Sequence, residues 1–386
     1  MSGVLKLVKS DAAGGVILII AAALAILLAN LDSTAVGYQS FLNWQPHSSA
    51  AGNAHPLTTL FWVNDVLMVF FFLQVGLEVK RELISGALAS RQQALFPLIA
   101  ALGGMLAPAL IFLLFTRHSS EGQSGWAIPT ATDIAFALGI LALLGNRVPV
   151  AIKVFLMALA VIDDLGAIVI IALFYSGSPN VAALAMAVAV IVVMAVMNRC
   201  GVRSRIAWLV AGAALWYVVL LSGIHATLAG VILGMMMPVR GEGSNSAAAR
   251  LTHQLEPWVR WLILPLFAFA NAGVVLKGLS VGDMLSALPL GIMAGLLIGK
   301  PLGITLVCWL SARLGITRLP VSTRISDIAA VGVLCGIGFT MSVFIATLAY
   351  GQQGGALINE AKLGILGGSI LSALCGYCLL RYRYSR

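Results

Sequence analysis

Asp163 and Asp164 stand side by side within the run from Met157 to Ile171, near the centre of an apolar segment spanning about residues 150–174. A helix of that length crosses a hydrocarbon core about 30 Å thick, with both aspartates close to its midplane. An ionised carboxylate at that depth is costly unless it is solvated, paired or protonated. Neighbouring helical residues point about 100° apart, so one carboxylate can face a pathway while the other meets a partner. That arrangement suits binding and release of protons or small cations.

Two further charged residues sit at similar depth. Asp133 follows Thr132 in the fourth apolar segment, and Lys300 precedes Pro301 in the tenth. Charged groups inside a bilayer are partners by default, so Lys300 is expected to pair with Asp163 or Asp164. A plain ion pair tying two helices together would account for Lys300 and one aspartate, but it leaves the other unexplained. Thr132 offers a hydroxyl and a backbone carbonyl to a hard cation that prefers oxygen ligands. Asp164, Asp163 and Thr132 are therefore candidate ligands of a transported ion, not of a structural metal.

The alternatives are a proton-coupled carrier of an organic solute, a passive cation channel and a membrane enzyme. The first needs a roomier polar site, and the second would pass cations without moving protons. The third lacks a nucleophile–base pair or metal cluster near the carboxylates, so catalytic residues are not expected.

The elements that must hold these groups are helices. The 386-residue chain is 60% hydrophobic and 10% charged, far below the charged fraction of soluble domains. Its net charge of +9 is dispersed over short loops, which gives no nucleic-acid surface. Cys375 and Cys378 lie in an apolar run without a redox context. Twelve apolar segments are expected to span as helices: 12–30, 58–77, 95–115, 126–143, 150–174, 181–198, 205–220, 223–238, 258–275, 287–311, 327–349 and 357–380. Together they form one all-α integral membrane domain, the first segment being a span and not a cleaved signal.

With the N-terminus inside, nineteen of the 23 Lys and Arg residues fall on the cytoplasmic side. Arg117, Lys277 and Lys362 fall outside, and Lys300 lies within the membrane. That asymmetry puts both termini in the cytoplasm. The external connection 31–57, with His47, His55, Pro46 and Pro56, reads as a small β-hairpin or an irregular loop. The internal connection from Arg240 to Glu256 contains the flexible Gly241 to Ser246.

The fourth segment carries Pro129, two threonines and Asp133 in its first half. The eleventh carries Gly332, Gly336, Gly338, Thr340 and Ser342 near its centre. Both are expected to be interrupted, the eleventh at Gly336 and Gly338. They lie seven segments apart, so they run in opposite directions and make 3–5 and 10–12 inverted counterparts. Interrupted helices in matching halves point to a midplane ion site. Asp133 and Lys300 are the charges expected to compensate the exposed helix ends.

On Thr132-Asp133, Asp163-Asp164, Lys300-Pro301, His225 within Gly223 to Gly230, and the glycines around Gly338, the chain resembles the NhaA family of bacterial Na⁺/H⁺ antiporters over essentially its whole length. That family is itself one of the examples behind the inverted-repeat rule. The resemblance implies alternating-access exchange of cytoplasmic Na⁺ or Li⁺ for external H⁺, serving pH and sodium homeostasis. It also implies an inner-membrane homodimer surrounded by lipid, with the 31–57 connection near the interface and no cofactor.

In the family pattern the residues matching Asp163 and Asp164 carry cation and proton, Lys300 pairs with Asp163, and Asp133 balances helix ends. Alkaline activation is tied to the positions of Glu78, Arg81 and Glu82 and to the start of the ninth segment, where His253 and Glu256 stand. His225 is a further candidate. Thr252 and Glu256 replace an acid and a histidine of the family pattern, so the pH profile does not carry over directly. From the residues alone, His225 and the stretch from Glu78 to Glu82 read more readily as ordinary helix-end residues.

Overall fold

Apolar runs of 18 residues or more can satisfy their backbone groups only as helices in a bilayer, and helices dominate the chain. The computed structural model describes residues 12–45, 57–86, 88–177, 179–202, 204–238, 247–278, 281–320, 323–351 and 355–384. No strand occurs among them. Pro46, His47, His55, Pro56, Arg240 and the segment from Gly241 to Ser246 lie outside the described residues. What is described of the 31–57 connection includes a helix, Ala35–Leu42, where a β-hairpin or irregular loop was expected.

In chain order the principal helices are α1 (Ala12–Asn30), α2 (Ala35–Leu42), α3 (Thr59–Ser85) and α4 (Arg91–Phe115). Next come α5 (Ser120–Thr130), α6 (Ile134–Leu143), α7 (Val150–Phe174), α8 (Val181–Arg199), α9 (Arg205–Leu221) and α10 (Leu228–Met236). The chain closes with α11 (Ala247–Trp258), α12 (Leu264–Asn271), α13 (Ala287–Arg313), α14 (Ile325–Cys335), α15 (Phe339–Tyr350) and α16 (Gly355–Arg383).

Among the described residues seven helices are long and apolar enough to cross a membrane, and nine spans result if each bent pair counts once. The bent pairs are α5–α6, at 45°, and α14–α15, at 52°. The other apolar segments are helical too, but α9 has 17 residues and α10 only nine. α11 continues into α12 through a wide π-turn at Val259–Ile263.

The chain divides into two compact units. One comprises residues 1–31, 87–167 and 271–386, and holds both bent pairs, α4, α13 and α16. Within it α4 and α13 approach at their backbones: a Cβ on Gly103 would lie 2.5 Å from the Gly303 carbonyl, and one on Gly303 would meet the Gly103 carbonyl in return. Small residues at such crossings are what let membrane helices pack closely.

Midway along α13 a π-turn at Gly295–Gly299 leads directly into Lys300 and Pro301. Proline has no N–H for the helical ladder, and a wide turn is one way a helix absorbs that break.

The second unit comprises residues 32–86 and 168–270. Its core gathers Leu73, Leu77, Met194, Trp208, Leu215 and Leu233. Trp208, Leu215 and Met194 are completely buried.

Candidate ion-binding site

The apolar sequence of α7 makes it a continuous 25-residue helix with Asp163 and Asp164 at its middle, 2% and 3% exposed. Lys300 is brought opposite by the break in α13 and is fully buried. Its ammonium donates to Asp163 Oδ2 at 2.5 Å, both side chains being inaccessible to water. Lys300 also bonds the hydroxyl of Thr132. Of the two aspartates that sequence reasoning left open as partners, the structure pairs Asp163 with Lys300.

Thr132 lies in the short extended stretch between α5 and α6, 1% exposed. Its Oγ1 is 2.8 Å from Asp163 Oδ2 and 3.0 Å from the Cys335 carbonyl. A hydroxyl has one proton to donate, so the two acceptors compete for it. Cys335 is the last residue of α14, which leaves its carbonyl without an intrahelical partner. Lys300 thus stands, through Thr132, beside the negative end of a half-helix.

Asp133 serves the opposite ends. As N-cap of α6 its Oδ1 accepts from the Phe136 N–H at 3.0 Å. Its Oδ2 accepts from both the N–H (3.1 Å) and the hydroxyl (2.5 Å) of Thr340 in the first turn of α15. One carboxylate therefore faces two helix N-termini, where a negative charge is favoured. The two interruptions are also joined through the backbone, the Asp133 N–H donating to the Ile337 carbonyl at 2.6 Å. Gly336 and Gly338 flank Ile337, between the end of α14 and the start of α15. A Cβ on Gly336 would collide with the Leu296 carbonyl, so backbones meet there too.

Oxygen satisfaction is uneven in the pair. Asp163 Oδ2 takes both Lys300 and Thr132, whereas Asp163 Oδ1 is buried with no hydrogen-bond partner. Buried carboxylate oxygens are almost always satisfied. An orphaned one, beside a second buried aspartate, is where a proton or a desolvated cation would be stabilised. The donors on hand are carboxylate, hydroxyl and carbonyl oxygens, which are hard ligands suited to an alkali cation.

The pH-response candidates lie in the second unit, or adjoin its helices. Glu78 accepts from Gln74 at 2.8 Å, and Arg81 reaches Glu82 at 3.4 Å. Glu256 lies within electrostatic range of Glu78, on α11, with His253 and Glu256 exposed. The His225 ring meets the Tyr175 carbonyl at 3.0 Å in the turn before α10.

Several polar contacts of α14, α15 and α16 were not reached by sequence reasoning. Ser369 on α16 accepts the Phe339 N–H at 3.1 Å, sharing with Asp133 the capping of α15. Ser342 donates to the Ile128 carbonyl at 2.7 Å. Asp327 accepts the Arg324 N–H at 2.7 Å and also bonds Arg383 and Tyr384. For Asp327 the signal was present, an acid three residues after a helix-start position.

The chain matches the family described as Na⁺/H⁺ antiporter 1 over residues 5–380. It is 58% identical over 375 residues to the Na⁺/H⁺ antiporter NhaA of Salmonella arizonae, covering 97% of each chain. The Na⁺/H⁺ antiporter NhaA of Citrobacter koseri is 58% identical over 377 residues, 98% of this chain and 97% of its own. NhaA 1 of Klebsiella pneumoniae is 58% identical over 375 residues, 97% and 95% of the two chains.

Proposed function

The chain belongs to the NhaA family of Na⁺/H⁺ antiporters, and from that premise we propose that it exports cytoplasmic Na⁺ or Li⁺ in exchange for external H⁺ by alternating access. The observation that supports this most directly is the unsatisfied Oδ1 of Asp163 beside buried Asp164. That oxygen has room for one positive ligand, either Na⁺ or H⁺, and the two compete.

In this reading Asp164 is the primary cation ligand, with Asp163 and Thr132 assisting. Cation or proton binding weakens the hold of Asp163 on Lys300, and that release couples occupancy to the bent pairs α5–α6 and α14–α15. Two carboxylates returning two protons per Na⁺ make exchange electrogenic. Asp133 keeps both N-terminal half-helix ends compensated throughout. The architecture proposed is twelve spans, with 3–5 and 10–12 as inverted repeats in one inner-membrane domain. Both termini are cytoplasmic, lipid surrounds the spans, and the protein is a homodimer. Activation at alkaline pH through Glu78, Arg81, Glu82, His225, His253 and Glu256 is part of the proposal, as is a role in pH and sodium homeostasis.

The test uses inside-out vesicles from cells that lack their own antiporters. After acidification by respiration, Na⁺ or Li⁺, but not K⁺, dissipates ΔpH, and Asp164→Asn abolishes the response. Wild-type-like exchange in that variant would remove Asp164 from the site. No response to any cation, with the protein present in the membrane, would overturn the antiport reading.

A further inference from the structure

In the first unit, α13, α14 and α16 enclose an apolar groove of about 770 Å³ on their outer face. Its floor is laid by small residues of α14, among them Ser326 and Ala329. Its walls are Leu302 and Leu306 on one side and Leu379 on the other, each about half exposed.

From Leu297 to Trp309 the groove follows α13 for a helical rise of about 18 Å. Half of a hydrocarbon core is about 15 Å. The groove therefore runs the depth of one leaflet, as a single acyl chain does.

The two ends of the groove differ. The inner end is closed by Leu297, Pro301 and Val333, without charge. The outer end holds Trp309, Tyr382 and Arg383, aromatic and basic side chains of the kind that anchor at a membrane–water interface. The segments meeting there also carry Arg313, Arg318, Arg324 and Arg381, against one acid, Asp327. Asp327 is already engaged by Arg383 and Tyr384. Arg313 lies over the Trp309 ring at 5.2 Å, and Arg313 and Arg324 are exposed. Excess arginine at the mouth of an apolar groove between spans complements an anionic headgroup.

We propose that this groove is a binding site for an anionic phospholipid, one acyl chain lying on Ser326 and Ala329 and the headgroup phosphate held at the Arg313–Arg324 end. Through Pro301 and Val333 the chain would touch the two helices that carry Lys300 and the α14–α15 break. A Cβ on Gly332 would lie 2.8 Å from Pro301 Cα, so α13 and α14 are in direct contact behind the groove.

Native mass spectrometry of the purified full-length protein tests this, with phosphatidylglycerol and phosphatidylcholine of identical chains titrated in mild detergent. Phosphatidylglycerol is expected to be retained about tenfold more strongly. Combining Arg313→Gln with Arg324→Gln should bring the two lipids level. Ala329→Leu and Ser326→Phe, which fill the floor, should each reduce retention of both. Ser326 is exposed, so its variant remains a test if Ala329→Leu does not fold. Unchanged retention in the folded floor variants, or no headgroup preference in the wild type, would overturn the proposal. So would displacement of the lipid by inorganic phosphate, or lipid found on monomers but not on dimers, which would give the groove to a second copy.

Discussion

Asp133 and Thr340, 207 residues apart, are joined twice: Asp133 Oδ2 accepts from both the backbone N–H and the hydroxyl of Thr340. With its other oxygen on the Phe136 N–H, one carboxylate caps α6 and α15 together. The charge and the acceptors should be separable in part. Asp133→Asn keeps one acceptor oxygen but turns the other into an N–H donor, and it loses the charge facing two helix ends, an expected destabilisation of about 1–3 kcal/mol. Asp133→Ala also strands buried donors and should cost about 1–3 kcal/mol more. Thermal unfolding in detergent ranks the three proteins, and equal stability of Asn and Ala variants would contradict the shared cap.

Lys300 and Asp163 invite a double-mutant cycle. Lys300→Gln alone leaves a buried carboxylate without its counter-charge and should destabilise by about 3–5 kcal/mol. Adding Asp163→Asn removes that stranded charge, so the double variant should recover much of the loss while exchange stays absent. Simple additivity of the two single effects would mean that the pair is not coupled as the 2.5 Å contact implies.

What the sequence disclosed follows from energetic cost. A charge in an apolar run has few explanations, so Asp133, Asp163, Asp164 and Lys300 could be singled out without coordinates. Thr132 followed from its place beside Asp133. Ser369 and Ser342 could not be read the same way, because a hydroxyl in a membrane helix is cheap and common, and its partner is set by a contact between distant segments. The pairing of Asp327 with Arg383 is hidden for the same reason. Helix lengths were also only partly legible. Residues 223–238 are apolar apart from His225 and Thr227, yet α10 begins only at Leu228, because Gly223 takes a φ of 80° and the turn through His225 uses the intervening residues. Hydropathy reports burial in lipid or protein alike, and does not report where the backbone stops being helical.

Competition between Na⁺ and H⁺ has a measurable slope. If one proton must leave for each Na⁺ bound, the apparent KM for Na⁺ rises about tenfold per unit fall in pH below the site's titration, and about a hundredfold if two must leave. Initial rates of ΔpH dissipation in vesicles, taken over a Na⁺ series at several pH values, give that slope. A KM independent of pH, with only the maximal rate changing, would separate proton and cation into different sites.

The end of α16 should act as a pH-insensitive clamp on α14. Tyr384 donates to Asp327 Oδ1 at 2.7 Å, alongside Arg383. Burial, reinforced by that hydrogen bond, pushes the phenol up to about 12, above its ordinary value of about 10. A raised folded-state pKa makes the stabilising contribution fully present below about pH 10, and it is lost only as pH climbs toward 12. Tyr384→Phe should therefore lower stability by about 1 kcal/mol, equally at neutral and mildly alkaline pH. Melting curves of the two proteins at both pH values decide it. A difference that vanished at mildly alkaline pH would show that the clamp opens there and would make it part of the pH response.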